Sequence, residues 1–245
     1  MLKLVLFTFC LKKLNNLVSL HKKSMSSAKK KESISKKDIV SKFMNYVLEK
    51  ERFPSSAYKF CQDNGINETE FYQHFGSVET MKSAIWEMLF ENACEVMEGN
   101  EIYPTFSNRD KMLTFFFTFF ELCSMNRSYI IFALNDKKPS IKNIESLKGI
   151  RVLVKRFASE LITSGNENKT HKFTKNPVAL FSEGAWIQFL FLLKFWLDDD
   201  SPGFEKTDMA IEKSVNTIFD VFDNTPISSV LDFGKFIIKE KWRWN

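Results

Sequence analysis

The sequence predicts an all-α protein in which a head of three short helices is joined by a long helix to a C-terminal helical bundle. Three observations predict this fold. Apolar residues recur three and four positions apart along most of the chain, which is the spacing of one helix face. Only 8 glycines and 6 prolines interrupt the 245 residues, which favours long helices over a turn-rich β fold. Apolar residues make up 44% of the chain, enough for a buried core.

Three short helices are predicted after residue 36. The first ends near Lys50 and carries apolar residues four positions apart. The second follows a proline break and has hydroxyl N-caps at Ser55 and Ser56. Gly65 supplies a tight turn, because glycine adopts a positive φ without strain. Asn67 then caps the third helix.

The remaining helices are predicted to form the linking helix and the bundle. Ser77 caps a long helix that ends near Gly99, and Thr207 caps a later one. The segment 178–197 is apolar on more than one face, which predicts that it packs against both the core and a partner. The other predicted helices span residues 108–125, 128–136, 141–164, 208–223 and, after Pro226, a final helix to about Lys241.

The positive charge is concentrated at the N-terminus. Residues 1–50 hold twelve lysines and three acidic residues, a net charge of +9 in a chain whose total is +5, which leaves −4 for the remainder. We expect residues 1–36 to be a basic and mostly disordered extension. The head then spans 37–80, the helical ligand and dimerisation domain 81–225, and a C-terminal amphipathic helix and tail 226–245.

The first 24 residues are interpreted as lying upstream of the natural start, which we place at Met25. The opening "MLKLVLFTFCL" is apolar but lacks a small-residue cleavage site and is too short to span a bilayer. An N-terminus that touches a membrane is the alternative interpretation.

The composition argues against an enzyme. The four cysteines stand far apart without a C-x-x-C pair, and three histidines provide no zinc-binding cluster. Free thiols in a reducing compartment, the cytoplasm, are therefore expected. The sequence contains no paired catalytic carboxylates, no nucleophile elbow and no phosphate-binding glycine loop. We expect neither catalysis nor a cofactor or metal.

One stretch, "NETEFYQHFGSVETM" at residues 67–81, carries a recognisable pattern. A glycine turn at Gly65-Ile66 precedes it, followed by the aromatic pair Phe71-Tyr72, the pair His74-Phe75 and the triplet Ser77-Val78-Glu79. In this order and spacing, residues 37–90 resemble the helix-turn-helix head of the TetR family of bacterial transcriptional regulators. The resemblance implies a cytoplasmic, dimeric DNA-binding regulator that is controlled by a small hydrophobic ligand.

The resemblance also implies site residues. Serines would contact phosphates, the third helix would approach base edges, and a homodimer would form through helices 178–197 and 208–223. The implied contacts to double-stranded operator DNA are Ser55, Ser56, Asn67, Glu68, Thr69, Tyr72, Gln73 and His74. The implied ligand-binding residues are Phe116, Phe119, Phe120, Phe132, Trp186 and Phe189.

Two departures from the family pattern support an alternative function. Val78 replaces a lysine that commonly contacts phosphate, and residues 37–75 hold five basic and six acidic residues, a net charge of −1. The alternative is a TetR-fold protein that binds a lipid or another hydrophobic ligand and no longer binds DNA. The basic, tryptophan-containing tail 226–245 is similar to the terminal helix of the lipid-binding protein of ubiquinone biosynthesis, and it would touch a membrane.

Overall fold

A computed structural model describes residues 34–134, 145–167 and 177–224, with the side chains of 222–224 excepted, and this part of the chain is helical without strands. The all-α prediction is confirmed. The α-helices are α1 (Lys36–Lys50), α2 (Ala57–Asn64), α3 (Glu68–His74), α4 (Val78–Glu98), α5 (Asn108–Met125), α6 (Arg127–Leu134), α7 (Lys148–Glu167), α8 (Val178–Asp198) and α9 (Glu205–Asn224). Two 3₁₀ turns lie at Tyr103–Thr105 and Pro202–Phe204.

The chain divides into two compact units. Unit 1 comprises Met1–Tyr103 and Asn126–Ser146, so it contains α1 to α4 and α6. Unit 2 comprises Pro104–Met125 and Leu147–Asn245, and it contains α5 and α7 to α9. The functional domains predicted from the sequence, with boundaries at residues 36, 80 and 225, remain predictions.

The core of unit 1 is built around the fully buried ring of Phe60 in α2. Its centroid lies 5.5 Å from that of Phe43 in α1, 5.8 Å from Tyr46 and 6.1 Å from Phe71 in α3. Tyr129 of α6 adds an edge contact to Phe43 at 6.4 Å. Because the rings touch edge to face, which aromatic pairs prefer, they fix α2 against both α1 and α3.

Polar side chains cap the helices of the head. Of the two candidate serines, Ser56 is the N-cap of α2, and it accepts a hydrogen bond from the Lys59 backbone N–H at 3.1 Å. Asn67 accepts one from the Thr69 N–H at 2.9 Å, and Ser77 forms a reciprocal capping box with Thr80. These side chains satisfy amides that the first helical turn leaves without partners, and they therefore set where each helix begins.

The core of unit 2 is formed by the phenylalanines of α5 and the apolar side of α8. Phe119 contacts Phe189 at a centroid distance of 5.2 Å, and Phe120 contacts Trp196 at 6.2 Å. The Trp196 indole N–H donates to Ser124 Oγ at 3.0 Å, so the buried ring has its polar atom satisfied. The aromatic residues of two helices thus pack together as one layer.

Side-chain hydrogen bonds hold α5 to its neighbours. Asn108 Nδ2 donates to the Leu161 carbonyl of α7 at 2.7 Å. A Cβ at Gly165 would approach that same nitrogen to 2.9 Å, so glycine leaves room for this bond. Arg109 forms an ion pair with Asp220 of α9 at 2.7 Å, and its guanidinium stacks over the Phe219 ring at 5.6 Å.

The turn between α8 and α9 corrects one prediction. Thr207 does not cap α9, which begins two residues earlier at Glu205. Instead its N–H and Oγ1 donate to Asp199 Oδ2 at 2.8 and 2.6 Å, while the N–H and Oγ of Ser201 donate to Oδ1 at 2.9 and 2.6 Å. A buried carboxylate therefore organises the turn, because its two oxygens accept four hydrogen bonds.

Other boundaries differ slightly from expectation. The helix predicted over 141–164 spans Lys148–Glu167, after a turn at residues 146–147, and residues 141–144 lie outside the described residues. The extension before residue 34, the N-terminal start at Met25 and the final helix from Pro226 also lie outside them.

In the described part of the chain, α8 has the length and apolar composition of a helix that could cross a membrane, with a mean hydropathy of 1.4 over its most apolar window. Length and composition are weak evidence for a membrane-spanning helix, because 44% of that window is buried inside the protein. Buried Phe189 and Trp196 show that one side of the helix belongs to the core of unit 2.

Replacing the carboxylate that organises the α8–α9 turn is predicted to destabilise the protein. Burial alone would raise the pKa of Asp199, but the four hydrogen bonds outweigh it and hold the pKa well below its usual range. Asp199→Asn should lower the free energy of unfolding by about 2–4 kcal/mol, because a carboxamide cannot accept all four bonds. Urea denaturation at pH 7 measures this loss.

The pH dependence has a defined sign. Because the folded pKa is below the unfolded value of about 3.9, the stabilisation is complete above about pH 5 and is lost as the pH falls through the folded pKa. The gap between wild type and Asp199→Asn should therefore narrow below about pH 4. Asp200→Asn is the matched control: its side chain is 86% exposed, so its replacement should change stability little. Equal losses from the two substitutions would contradict the assignment.

Candidate nucleic-acid interface

The turn between α2 and α3 has the conformation that its sequence predicts. Gly65 has a φ of 63°. Its N–H donates a hydrogen bond to the Gln62 carbonyl, and the Ile66 N–H donates one to the Cys61 carbonyl at 2.9 Å. This left-handed geometry ends α2 and lets α3 begin three residues later. The two short helices thus form a helix-turn-helix pair within unit 1.

The outer face of α3 is polar and uncharged at its centre. Phe71 is fully buried and Phe75 is 4% exposed, so these residues define the inner face. Thr69 and Gln73, four positions apart, are exposed on the opposite face, and Tyr72 beside them is 52% exposed. We name Thr69, Tyr72 and Gln73 the reading face.

The two acids of α3 do not occupy the centre of this face. Glu68 is half-buried, and burial together with this nearby carboxylate raises the pKa of the Cys61 thiol in α2. Desolvation and the same carboxylate raise the pKa of the Tyr72 hydroxyl. Glu68 therefore lies close both to Tyr72, a member of the reading face, and to Cys61 of α2, and Glu70, which is also half-buried, flanks the reading face.

Val78 has a structural role. It is 6% exposed and stands in the first turn of α4, between the buried Phe75 and Met81 in the sequence. A lysine at this position would have to place a charge in an apolar environment. The residue that departs from the TetR pattern is therefore part of the core of unit 1.

His74 connects the end of α3 to the start of the described chain. Its Nε2 lies 3.1 Å from the Ile34 carbonyl oxygen, which can only accept, so this nitrogen carries the proton. Ser55 is exposed, whereas the hydroxyl of Ser56 accepts the capping bond described above. The eight candidate DNA contacts all lie in α3 or in the residues just before α2 and α3.

Several cations of the head are already engaged. Lys59 forms an ion pair with Asp63 at 2.7 Å, which raises the pKa of Lys59 and lowers that of Asp63. Lys42 donates to the Asn64 carbonyl at 3.4 Å, at the end of α2. Other cations of unit 1 are exposed at its surface, namely Lys36, Lys37, Lys50 and Arg52.

Sequence reasoning missed one exposed aromatic residue beside these candidates. Tyr58 is 59% exposed and lies in the first turn of α2, two residues after Ser56. Its position two residues after the second candidate serine was the available signal.

The six candidate ligand-binding residues separate into two groups. Phe132 belongs to unit 1, where its ring contacts Phe53 at 5.4 Å and the Lys82 ammonium lies 3.7 Å above the Phe53 ring. The other five lie in unit 2, and each is at most 8% exposed. Trp186 stacks on Phe189 at 5.4 Å with an interplanar angle of 13°. These five form an aromatic cluster: Phe116, Phe119, Phe120, Trp186 and Phe189.

Among the residues that the structure describes, no group of three or more histidine, cysteine or acidic side chains could hold a metal ion. Cys61, Cys94 and Cys123 are free thiols, and Cys10 lies outside the described residues.

Comparison with known proteins supports the family of this fold. The family model described as tetracyclin repressor-like, C-terminal domain, matches residues 111–237, just over half of the chain. The matched segment begins inside α5 and includes α6 to α9. No curated protein matches the chain. The matched segment covers more than half of the chain and follows the helix-turn-helix pair in the sequence. The chain therefore belongs to the tetracyclin repressor-like family.

Proposed function

We propose that this protein is a dimeric, DNA-binding transcriptional regulator of the TetR type that a small hydrophobic ligand controls. The observation that carries the proposal is the reading face, because α3 buries its phenylalanines and leaves Thr69, Tyr72 and Gln73 exposed with no role in the core. Members of this family are regulators and not enzymes, which agrees with the absence of catalytic motifs in the sequence.

The chemistry of the reading face suits the major groove. A glutamine side chain can donate to and accept from adenine at once, and a threonine can contact a thymine methyl group. The first exposed residues after Gly65 include the Asn67 cap, which lies at the start of the same helix. In a helix-turn-helix protein the second helix lies in the major groove.

The N-terminal lysines provide the phosphate-binding charge that the head lacks. Lys29, Lys30 and Lys31 precede Ile34 by only three to five residues in the sequence. Ile34 is hydrogen-bonded to His74 at the end of α3. Since phosphate neutralisation dominates nonspecific affinity, lysines tethered there compensate for the net charge of −1 in the head.

The dimer is proposed to form through α8 and α9. Along α8 a row of apolar residues and one glycine lies opposite the buried side, and Ile187 and Phe191 in it are 66% and 51% exposed. A Cβ at Gly184 would meet no atom within 4 Å, so the surface there is open to a second helix. On α9, Met209 and Val221 are 51% and 38% exposed. We name Leu180, Gly184, Ile187, Phe191 and Phe195 the α8 outer row.

The ligand is proposed to bind at the aromatic cluster of unit 2. Its rings contact one another, so a ligand that enters must separate at least one pair, for example Trp186 and Phe189. Hydrophobic effectors suit this cluster because its lining offers apolar ring surface. To control DNA binding, the ligand must bind one conformation of the protein more tightly than another.

Substituting the glutamine of the reading face is predicted to reduce sequence discrimination. Selection from random duplexes, together with duplexes from the protein's own upstream region, should yield a preferred site. Gln73→Ala should then reduce the free-energy difference between specific and nonspecific binding by about 1–3 kcal/mol, which lowers the ratio of the two affinities. Competition binding against a scrambled duplex at fixed salt measures this ratio.

Gln62→Ala is the matched control, since Gln62 is an exposed glutamine on α2 and should leave the ratio unchanged. Failure to select any duplex at low salt would refute the DNA-binding proposal and favour the alternative, a hydrophobic-ligand protein of the same fold.

Charging the α8 outer row is predicted to dissociate the dimer. Ile187→Glu combined with Phe191→Glu would bury two carboxylates against a second copy, which should weaken association by about 2 kcal/mol or more per site. Analytical ultracentrifugation of the full chain measures the change. Val152→Glu on α7 is the control, because Val152 is 64% exposed yet lies off this row. A wild-type monomer, or dissociation by the control alone, would contradict the interface.

Tryptophan emission is predicted to report on ligand binding. Straight-chain fatty acids and alcohols are the probes, and a ligand that separates Trp186 from Phe189 should change the emission of the stacked indole. Trp186→Phe should remove this signal, whereas Trp86→Phe should preserve it, because Trp86 lies in α4 of unit 1. An unchanged signal in Trp186→Phe would place the ligand elsewhere.

A further inference from the structure

Two cations of α7 lie beside the aromatic cluster of unit 2. Arg151 and Lys155 are four positions apart, so they share one side of the helix. The Arg151 guanidinium lies over the Trp186 ring at 6.0 Å, and Trp186 in turn stacks on the fully buried Phe189. The Arg151 side chain is 49% exposed. The contacts of Arg151, Trp186 and Phe189 therefore connect the surface of unit 2 with the inside of the cluster.

Glu183 of α8 is shared by the two cations. It accepts hydrogen bonds from the Lys155 ammonium and from Arg151 Nη2, the latter at 3.2 Å. The bond from Lys155, together with that from Arg151, lowers the pKa of Glu183, so this carboxyl is ionised at neutral pH. We name Arg151, Lys155 and Glu183 the α7–α8 triad. Its two cations and one carboxylate leave it with a net charge of +1.

The other charges along this part of the sequence compensate one another. Arg156 lies 3.9 Å from Glu160, one turn further along α7. Earlier in the sequence, Glu145 and Lys148 contribute one charge of each sign. The one positive charge that remains in excess is therefore the charge of the triad.

Trp186 is the member of the aromatic cluster that lies nearest to solvent. It is 8% exposed, whereas Phe119 and Phe189 are fully buried. A ligand that separates Trp186 from Phe189 passes Arg151, because the guanidinium lies over the same indole ring. An apolar chain is stabilised among the rings, but a polar end would lose its hydration there. The polar end of such a ligand is therefore expected to remain at the triad.

We propose that the ligand of unit 2 is an amphipathic carboxylate, whose anionic group binds Arg151 and Lys155 while its apolar chain enters the aromatic cluster. The assignment rests on the proposed function, because it uses the same ligand site, and it specifies the chemical class of the ligand. A guanidinium and an ammonium donate charge-assisted hydrogen bonds to a carboxylate, which are stronger than those to a neutral hydroxyl. The ligand carboxylate shares the two cations with Glu183, so the two carboxylates compete.

Two probes with the same chain and different polar ends test the assignment in the full-length protein. They are dodecanoate and dodecanol, titrated by calorimetry below their micelle concentrations at pH 7 and about 0.15 M salt. Dodecanoate should bind at least about fivefold tighter than dodecanol. The measured quantity is the ratio of the dodecanol to the dodecanoate dissociation constant. Damage to the apolar site weakens both probes together and leaves this ratio unchanged.

Substitutions in the triad should move the ratio in opposite directions. Arg151→Gln should lower it at least about threefold, because it removes a charged donor and the excess positive charge. Glu183→Gln should raise it at least about threefold, because it removes the competing carboxylate. Arg156→Gln is the matched control, since it removes the same charge from α7 at a residue that pairs with Glu160. This control should change the ratio less than about twofold, because solvent and salt screen its charge.

The outcomes separate the assignment from the ligand site on which it rests. Equal affinities of the two probes for the wild type would overturn the assignment and leave the ligand site in place. A ratio that Arg151→Gln and Glu183→Gln leave unchanged would also overturn it, because the triad would then serve only to join α7 to α8. An effect of Arg156→Gln as large as that of Arg151→Gln would do the same. Failure of both probes to bind would overturn the ligand site itself, and the assignment with it.

Discussion

The packing of the Phe60 ring is the interaction on which the head of the protein depends. Helices of eight and seven residues, such as α2 and α3, are too short to be stable alone in water. Phe60 supplies the missing stability, since its ring contacts Phe43 of α1 and Phe71 of α3 together. Because Phe71 packs against Phe60, the helical period places Thr69 and Gln73 on the outward side of α3. The position of the reading face therefore follows from the core.

The same packing fixes where two acids of the head lie. Asp63 holds Lys59 and accepts from the Tyr46 hydroxyl at 3.4 Å, so it serves to fix α2 against α1. Glu68 lies close to Cys61 and to the Tyr72 hydroxyl. Because the Asp63–Lys59 pair removes one positive and one negative charge, it leaves the net charge of −1 over residues 37–75 unchanged. In the proposed regulator, the attraction to phosphate therefore has to come from the N-terminal lysines.

Local signals made most of the fold predictable from the sequence. Caps such as Ser77 and the turn at Gly65 act within a few residues, and the confirmed helices follow them. The role of Thr207 was not predictable, because its partner Asp199 is eight residues away and belongs to a turn. The burial of Val78 was not predictable for a similar reason: the family pattern marks a surface lysine there, and only packing shows that the position is buried. The roles of the site residues depend on partners, which no single sequence contains.

The unusual composition of α8 follows from the two surfaces it is proposed to serve. One side is fixed in unit 2 by Phe189 and Trp196, while Ile187 and Phe191 lie on the side that the chain leaves exposed. A helix that covers one apolar side with its own core and the other with a second copy becomes apolar all round, and then resembles a membrane span in composition. The polar Gln188, which donates to Ser214 of α9 at 2.9 Å, marks the boundary between these sides. In the proposed dimer, protein covers both apolar sides of α8, which is sufficient to account for its hydropathy.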